Sequence, residues 1–240
     1  MIKILKYEIR RLLFNKFFLG LLVINGIFAW YTLSSDTVAG IAYTAPFSPW
    51  SFGAYLSSVM PLIMITVLFL LTYFHSKKEK QVEVLTSATP IDAVRYMLIR
   101  NTAVTLGFLF LCLLVVGLCL YFYAVYFNYL NFAVFIIPAL VTILPCYVFM
   151  MGAGHCIGRI HSGLLYFLMI ISFAVSVVKV PDAFDLFGGS YYSNFPLTLP
   201  AGVDGEPAFV LSAAFLTARG LYLVIGIVLF VISVRPVRKK

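Results

Sequence analysis

Charged side chains are scarce in this sequence. Only 11% of its 240 residues are Asp, Glu, Lys or Arg, whereas 62% are hydrophobic and the mean hydropathy is +1.03. Soluble domains are about 45–50% apolar and about 25% charged. The composition therefore excludes a water-soluble globule, a nucleic-acid-binding domain and a disordered chain. It predicts an all-α integral membrane protein that crosses the bilayer several times.

Motifs of nucleotide binding and hydrolysis are also missing. The sequence contains no G-x-x-x-x-G-K-[ST], no H-E-x-x-H and no G-x-S-x-G pattern. We therefore expect no cofactor in this chain and no enzymatic activity of its own. We expect no metal site at His75, His155 or His161, which lie near predicted span ends where a solvated or interfacial histidine is ordinary. The four cysteines lack zinc-ligand spacing and predict packing residues without a disulfide: Cys112, Cys119, Cys146 and Cys156.

Uncharged gaps between charged residues mark the membrane spans, because the bilayer interior disfavours charge and a spanning helix needs about 20 apolar residues. The gaps predict six transmembrane helices in a single domain over residues 1–240. Pro46, Pro49 and Gly53 predict a loop before the second span. The spans lie between Lys16 and Asp36, over about 55–74, twice between Arg100 and Arg159 around a turn at 121–131, between Arg159 and Lys179, and before Arg235.

The basic residues predict the orientation. Of the 17 Lys and Arg residues, all but Lys179 and Arg219 fall on one side of a six-span arrangement. Cytoplasmic segments are enriched in Lys and Arg, so we expect both termini in the cytoplasm.

Residues 1–16 form an amphipathic pattern. At helical spacing one arc carries the apolar side chains, and the basic side chains Lys3, Lys6, Arg10 and Arg11 lie off that arc. The pattern predicts an interfacial helix whose cations lie near lipid headgroups. A basic flank that only sets topology is the alternative. The apolar arc consists of Ile2, Leu5, Ile9, Leu12 and Leu13.

The segment 76–100 is the longest predicted cytoplasmic loop. Thr89, Pro90 and Asp92 resemble a capping box with proline at the first helical position, and they predict a helix that begins at Pro90 and continues into the third span. The loop has two interpretations that the residues leave open: a structured docking surface, or a solvated charged connector.

The layout and this loop are similar to the permease subunit of type-2 ABC exporters. The likeness covers the amphipathic N-terminal helix, the six spans and a short motif in the loop. Gln81 and Val82 stand where that family often has Gly-Thr. The motif residues are Glu79, Glu83, Leu85, Ser87, Pro90 and Ile91, followed by Arg100.

The resemblance implies a function and partners. It implies a coupling loop at 76–100 that docks on an ABC ATPase through Glu79, Glu83, Leu85, Pro90 and Asp92. Two ATPase copies would bind the ATP and magnesium, and a second permease, identical or paralogous, would complete the assembly in a bacterial plasma membrane. The nearly uncharged interior favours an amphipathic or hydrophobic cargo such as a peptide, a drug or a lipid-like molecule. The alternatives are an ion- or proton-coupled secondary carrier and an integral membrane enzyme.

The segment 181–219 is predicted to lie on the outer face. It is too aromatic for a solvated loop, and we expect a compact cap whose aromatics face the membrane interface. The resemblance implies re-entrant helices here, and residues 208–219 are either a re-entrant arm or the first turns of the last span. The aromatics are Phe184, Phe187, Tyr191, Tyr192, Phe195 and Phe209, and the acids expected to face water are Asp182, Asp185, Asp204 and Glu206.

Two further sets of residues are candidates for function or assembly. Arg219 either extends toward water or lines a polar path, and together with Tyr191 and Tyr192 it is a candidate for the pathway or its outer gate. A set of small residues on the fourth span predicts close helix packing, within the chain or between subunits. These residues are Gly152, Gly154 and Gly158.

Overall fold

The computed structural model describes residues 2–75, 93–178, 181, 185–202 and 205–234. These residues form eight α-helices and three short 3-10 turns, with no β-strand among them. The 3-10 turns are Thr37–Ala39, Phe132–Phe135 and Phe195–Thr198. The helices are α1 (Ile2–Leu13), α2 (Lys16–Ser35), α3 (Pro49–Phe74), α4 (Ala93–Phe127), α5 (Ile136–Ile160), α6 (Gly163–Val177), α7 (Gly189–Asn194) and α8 (Ala213–Val234).

Five of the described helices are long and apolar enough to cross a membrane, as expected for a multi-pass membrane protein. They are α2, α3, α4, α5 and α8. The charge gaps predict six spans, and the difference falls on α6. This helix is apolar but has only 15 residues. At 1.5 Å per residue it is about 22 Å long, less than the roughly 30 Å of a bilayer core.

Two predicted boundaries on the chain are wrong. The stretch with Pro49 and Gly53 is not a loop, because α3 begins at Pro49 and includes Gly53. The Ser48 hydroxyl accepts a hydrogen bond from the Ser51 amide at 3.1 Å, and proline suits the first helical position. The predicted turn at 121–131 is also shorter than expected, because α4 continues to Phe127 and ends before Asn128, which adopts a positive φ of 53°.

Residues 208–219 do not form a re-entrant arm. Residues 208–212 are not helical, and α8 begins at Ala213, so that Arg219 lies in the second turn of the last helix. The alternative of a re-entrant arm is therefore wrong, and the other alternative, the first turns of the last span, agrees with the position of residues 213–219.

The central helix is α3, whose side chains are mostly buried against α2, α4, α5, α6 and α7. Its two ends define two ends of the molecule. At the Phe74 end, the Arg100 guanidinium lies 4.1 Å from the centre of the Phe74 ring. At the Trp50 end, Trp50 contacts the segment that follows α6. A helix of 26 residues separates these ends by about 39 Å.

Helix α1 lies at the Phe74 end with its apolar face turned inward. Leu12 is buried, and Leu5, Ile9 and Leu13 pack against the main core. Lys3, Lys6 and Arg10 are exposed. The predicted amphipathic helix is thus present, and its position on a membrane surface stays a prediction.

The small residues of α5 contact three different parts of the same chain. Gly152 lies against the backbone of Gly226 in α8, Gly154 lies against leucine side chains of α3, and Gly158 lies against the ring of His75. At each of these three positions, an added Cβ atom would come into close contact with another part of the chain.

Candidate functional site at the cap

Residues 185–202 and 205–212, here called the cap, cover the Trp50 end of the molecule. Trp50 is the centre of an aromatic cluster, and its ring lies 4.8–6.4 Å from its neighbours, centre to centre. Its indole N–H donates to the Pro207 carbonyl at 3.2 Å. The aromatics therefore pack on α3 and on one another, and the expectation that they face the membrane interface is not met. The neighbouring rings are Tyr191, Tyr192, Phe195 and Phe209.

Asp185 is buried, with 5% of its surface exposed, so the prediction that it faces water is wrong. One carboxylate oxygen accepts from the amides of Phe187 and Gly188 at 3.0 and 2.9 Å, and the other accepts from the Ser190 amide at 2.7 Å. These three hydrogen bonds replace the water that would otherwise hydrate the carboxylate. They can do so because hydrogen bonds to a charged acceptor are stronger than hydrogen bonds between neutral groups. The carboxylate thereby fixes the turn that leads into α7.

The other acidic residues predicted to face water are Glu206, Asp182 and Asp204, and only Glu206 lies within the described residues. Glu206 is half-buried, and its carboxylate accepts from the Ala45 amide at 2.9 Å. It therefore ties the cap to the segment before α3 instead of standing free in water. Asp182, Asp204 and the aromatic Phe184 lie outside the described residues.

Arg219 is buried, with 3% of its surface exposed, and its side chain does not extend to water. Its guanidinium donates to the backbone carbonyls of Leu186 and Asp185, the second at 3.0 Å, and lies 4.5 Å from the centre of the Phe215 ring. Carbonyl oxygens of the cap thus replace water as the hydrogen-bond acceptors of this cation. Arg219 thus holds the cap to α8 through backbone atoms.

The hydroxyls of the two cap tyrosines form hydrogen bonds with different parts of the chain. The Tyr191 hydroxyl donates to the Val210 carbonyl at 3.1 Å and accepts from the Ser212 amide at 2.8 Å. The Tyr192 hydroxyl lies 2.9 Å from the Thr142 hydroxyl of α5, and burial raises the pKa of the Tyr192 phenol to about 12. The cap is therefore joined to α5 as well as to α3 and α8. All three predicted gate residues, Arg219, Tyr191 and Tyr192, meet in this cluster.

The Phe74 end holds a second group of buried polar side chains. His155 is 2% exposed, which corrects the expectation of a solvated histidine, and its ring centre lies 5.8 Å from that of His75. Glu8 of α1 is buried and accepts from the Tyr96 hydroxyl at 3.2 Å. His161, in contrast, is exposed and accepts from the Gly163 amide.

The predicted coupling loop begins at this end. The predicted docking residues Glu79, Glu83, Leu85, Pro90 and Asp92 lie outside the described residues. The described part of the segment, 93–100, is the first two turns of α4.

Several contributors to the cap were not singled out from the sequence. Trp50, Thr142 and Phe215 carry no sequence motif, and only the fold brings them together. Asp185 could have been found, because an aspartate shortly before Gly188 and Gly189 is typical of a turn in which the carboxylate accepts from the following amides.

The described residues contain no group of three or more His, Cys, Asp or Glu side chains able to hold a metal ion. All four cysteines are free thiols. The chain matches no family model, no curated protein and no solved structure.

Proposed function

We propose that this chain is the membrane-spanning permease subunit of an ATP-driven ABC exporter and acts with a separate ATPase. The proposal is supported by the multi-pass helical fold and by the loop motif that begins at Glu79. The observation that carries it is the hydrogen bond between Tyr96 and Glu8. This bond joins the amphipathic helix α1 to the first turn of α4, directly after the predicted docking segment.

The contacts of α4 support a route for coupling. A partner ATPase that closes on ATP would move the segment that includes Glu79 and Glu83, and α4 follows that segment in the chain. This helix has 35 residues and is about 52 Å long. Its first turn contacts α1, and Phe127 at its other end lies 5.7 Å from Phe47, ring centre to ring centre. Movement of α4 would reach both ends of the molecule.

The cap is the proposed gate of this exporter. Tyr192 and Arg219 hold it to α5 and α8, and Trp50 of α3 donates to its Pro207 carbonyl, so that opening would have to break defined contacts. The cargo would be an amphipathic or hydrophobic molecule. ATP and magnesium would be bound by the two ATPase copies, and a second permease would complete the pathway.

The experiment is purification of the tagged chain from its native membranes in mild detergent. We expect an ATPase to accompany it and to hydrolyse ATP. The double variant Glu79→Lys, Glu83→Lys should insert normally and lose this activity, because basic residues there would face the partner with like charge or leave its own charges unpaired. Asp36→Asn is the matched control, since Asp36 is exposed near the opposite end. Unchanged ATP hydrolysis in the double variant, or equal loss in the control, would contradict the proposal.

One observation favours a proton-coupled carrier as the second candidate. Both ring nitrogens of the buried His155 lack a hydrogen-bond partner among the described residues, and buried ionisable residues in membrane helices often belong to ion pathways. Such a carrier would transport without ATP. Transport by the purified chain in liposomes, driven by a proton gradient alone and lost in His155→Leu, would favour this candidate over the exporter.

A further inference from the structure

A cleft of about 460 Å³ opens between α3, α6 and the cap. Its volume is in the range of small-molecule sites. The apolar part of its lining includes Val175, Val177, Val178 and Phe187. The polar part is rich in hydroxyls and includes one carboxylate and one side-chain amide: Ser57, Ser58, Ser176, Ser190, Ser193, Asp185 and Asn194.

Three of the hydroxyls have already used their hydrogens. Ser57 and Ser58 both donate to the Ala54 carbonyl, at 2.7 and 3.0 Å, and Ser176 donates to the Phe173 carbonyl at 2.7 Å. A serine hydroxyl has one donor and two acceptor lone pairs. What these side chains offer a ligand is therefore acceptor oxygen.

The carboxylate of Asp185 adds negative charge to the same cleft. Its three amide donors leave part of its acceptor capacity free, since a carboxylate has about four lone-pair sites. Among the described residues, no Lys, Arg or His nitrogen lies within ion-pair distance of it, and Arg219 donates to backbone carbonyls instead. None of the lining residues within the described part of the chain is basic.

We infer that this cleft binds the primary ammonium group of an amphipathic molecule. An ammonium carries three donors, no acceptor and a positive charge, which complements hydroxyl lone pairs beside a carboxylate. A phosphate or carboxylate ligand would face the acceptor oxygens of Ser57, Ser58 and Ser176 and the like charge of Asp185. The valines and Phe187 provide apolar contact for an attached hydrocarbon or ring. The site follows from the cleft alone, and the assignment of its occupant as cargo rests on the proposed exporter function.

Binding can be measured on the isolated chain in phosphatidylcholine nanodiscs. The chain has two tryptophans, so Trp30→Phe leaves Trp50, which contacts the cap, as the only tryptophan of the chain, and excitation at 295 nm selects it over the tyrosines as donor to a dansyl probe. Dansylcadaverine, which has a primary ammonium, should give saturable transfer. Its trimethylammonium analogue, which has no N–H, should bind about tenfold more weakly, and its carboxylate analogue should not saturate. Equal signals from all three probes would overturn the inference.

Variants of the lining test the same site without disturbing the turn at Asp185. Ser58 and Ser176 are exposed, so Ser58→Ala with Ser176→Ala should leave the fold intact and raise the Kd for dansylcadaverine about tenfold. Ser34→Ala is the matched control, because the Ser34 hydroxyl also donates to its own helix and Ser34 does not line the cleft. An unchanged Kd in the double serine variant would overturn the inference.

The source of the ammonium is tested by lipid composition. Phosphatidylethanolamine carries a primary ammonium on its headgroup. If replacing phosphatidylcholine with phosphatidylethanolamine abolishes dansylcadaverine binding, the site is a lipid site and the cargo assignment is overturned. If binding persists, the cargo assignment is supported. Neither result depends on an ATPase, so failure of the exporter proposal is detected separately.

Discussion

Gly152 and Gly226 bring the backbones of α5 and α8 into direct contact. A Cβ atom at Gly152 would overlap the carbonyl group of Gly226, and a Cβ atom at Gly226 would lie 2.6 Å from the carbonyl of Val148. The atoms on both sides are backbone, so neither position can adjust by moving a flexible side chain. Close approach of this kind is what small residues permit between membrane helices.

Gly226→Ala should destabilise the protein by about 1–3 kcal/mol, the usual cost of overpacking a close contact. Gly220→Ala is the matched control on the same helix, because a Cβ atom at Gly220 would have no neighbour within 4 Å. Alanine there should be neutral or slightly stabilising. Thermal unfolding in detergent measures both variants, and a Gly226→Ala protein as stable as the control would refute the contact.

Arg219→Met should release the cap. The variant loses the hydrogen bonds to Asp185 and Leu186, whose carbonyls would then be buried without these donors. The measurement is chymotrypsin cleavage after Tyr191 and Tyr192, which should become faster. In the control Arg159→Met, the lost bond is to the Ser233 carbonyl at the other end of α8, and cleavage of the cap should stay slow. Slow cleavage in both variants would show that Arg219 does not hold the cap.

Ionisation of the Tyr192 phenol should lower the stability of the cap at alkaline pH. Its phenol pKa is about 12 in the folded protein, against 10.0 for an ordinary tyrosine. The unfolded chain loses this proton first, so the contribution is complete below about pH 10. It is lost as the pH rises through 12. In Tyr192→Phe the fall in melting temperature over this range should be smaller than in the parent protein, and an identical fall would contradict the assignment.

Tyr96→Phe should weaken the attachment of α1. The buried Glu8 carboxylate would lose the hydroxyl that donates to it at 3.2 Å, at a cost of about 1–3 kcal/mol. Tyr7→Phe is the matched control, because Tyr7 lies on the same helix as Glu8 and is exposed. Melting temperatures of the two variants should differ, and equal values would show that the Glu8–Tyr96 bond adds nothing to stability.

Helix α2 is predictable because charges mark its limits. Lys16 begins α2 and Asp36 directly follows its last residue, as the charge gap predicts. The start of α3 is harder to predict, because Pro49 and Gly53 are residue types that also form loops. Proline is in fact favoured at the first helical position, and Gly53 lies against the Tyr192 ring, a tertiary contact that no local pattern encodes.

The interior of the cap could not be predicted in the same way. Charge and hydropathy patterns place Asp185 in water and Arg219 toward water, since they assume that solvent is the best partner of a charge. In the structure both side chains find backbone groups of the cap instead. Backbone donors and acceptors have no sequence signature, so burial of these two charges becomes visible only in three dimensions.

Helix α8 is held at three points of unequal stiffness. At one end the Arg219 guanidinium donates to the Asp185 carbonyl, and at the other end the Arg159 guanidinium donates to the Ser233 carbonyl. Long side chains such as these can follow a small displacement of the helix. At Gly226 the contact is backbone on backbone and cannot yield. Sliding of α8 along α5 would bring residues with a Cβ atom into the place of Gly152 and Gly226. The backbone contact therefore fixes the register of the two helices.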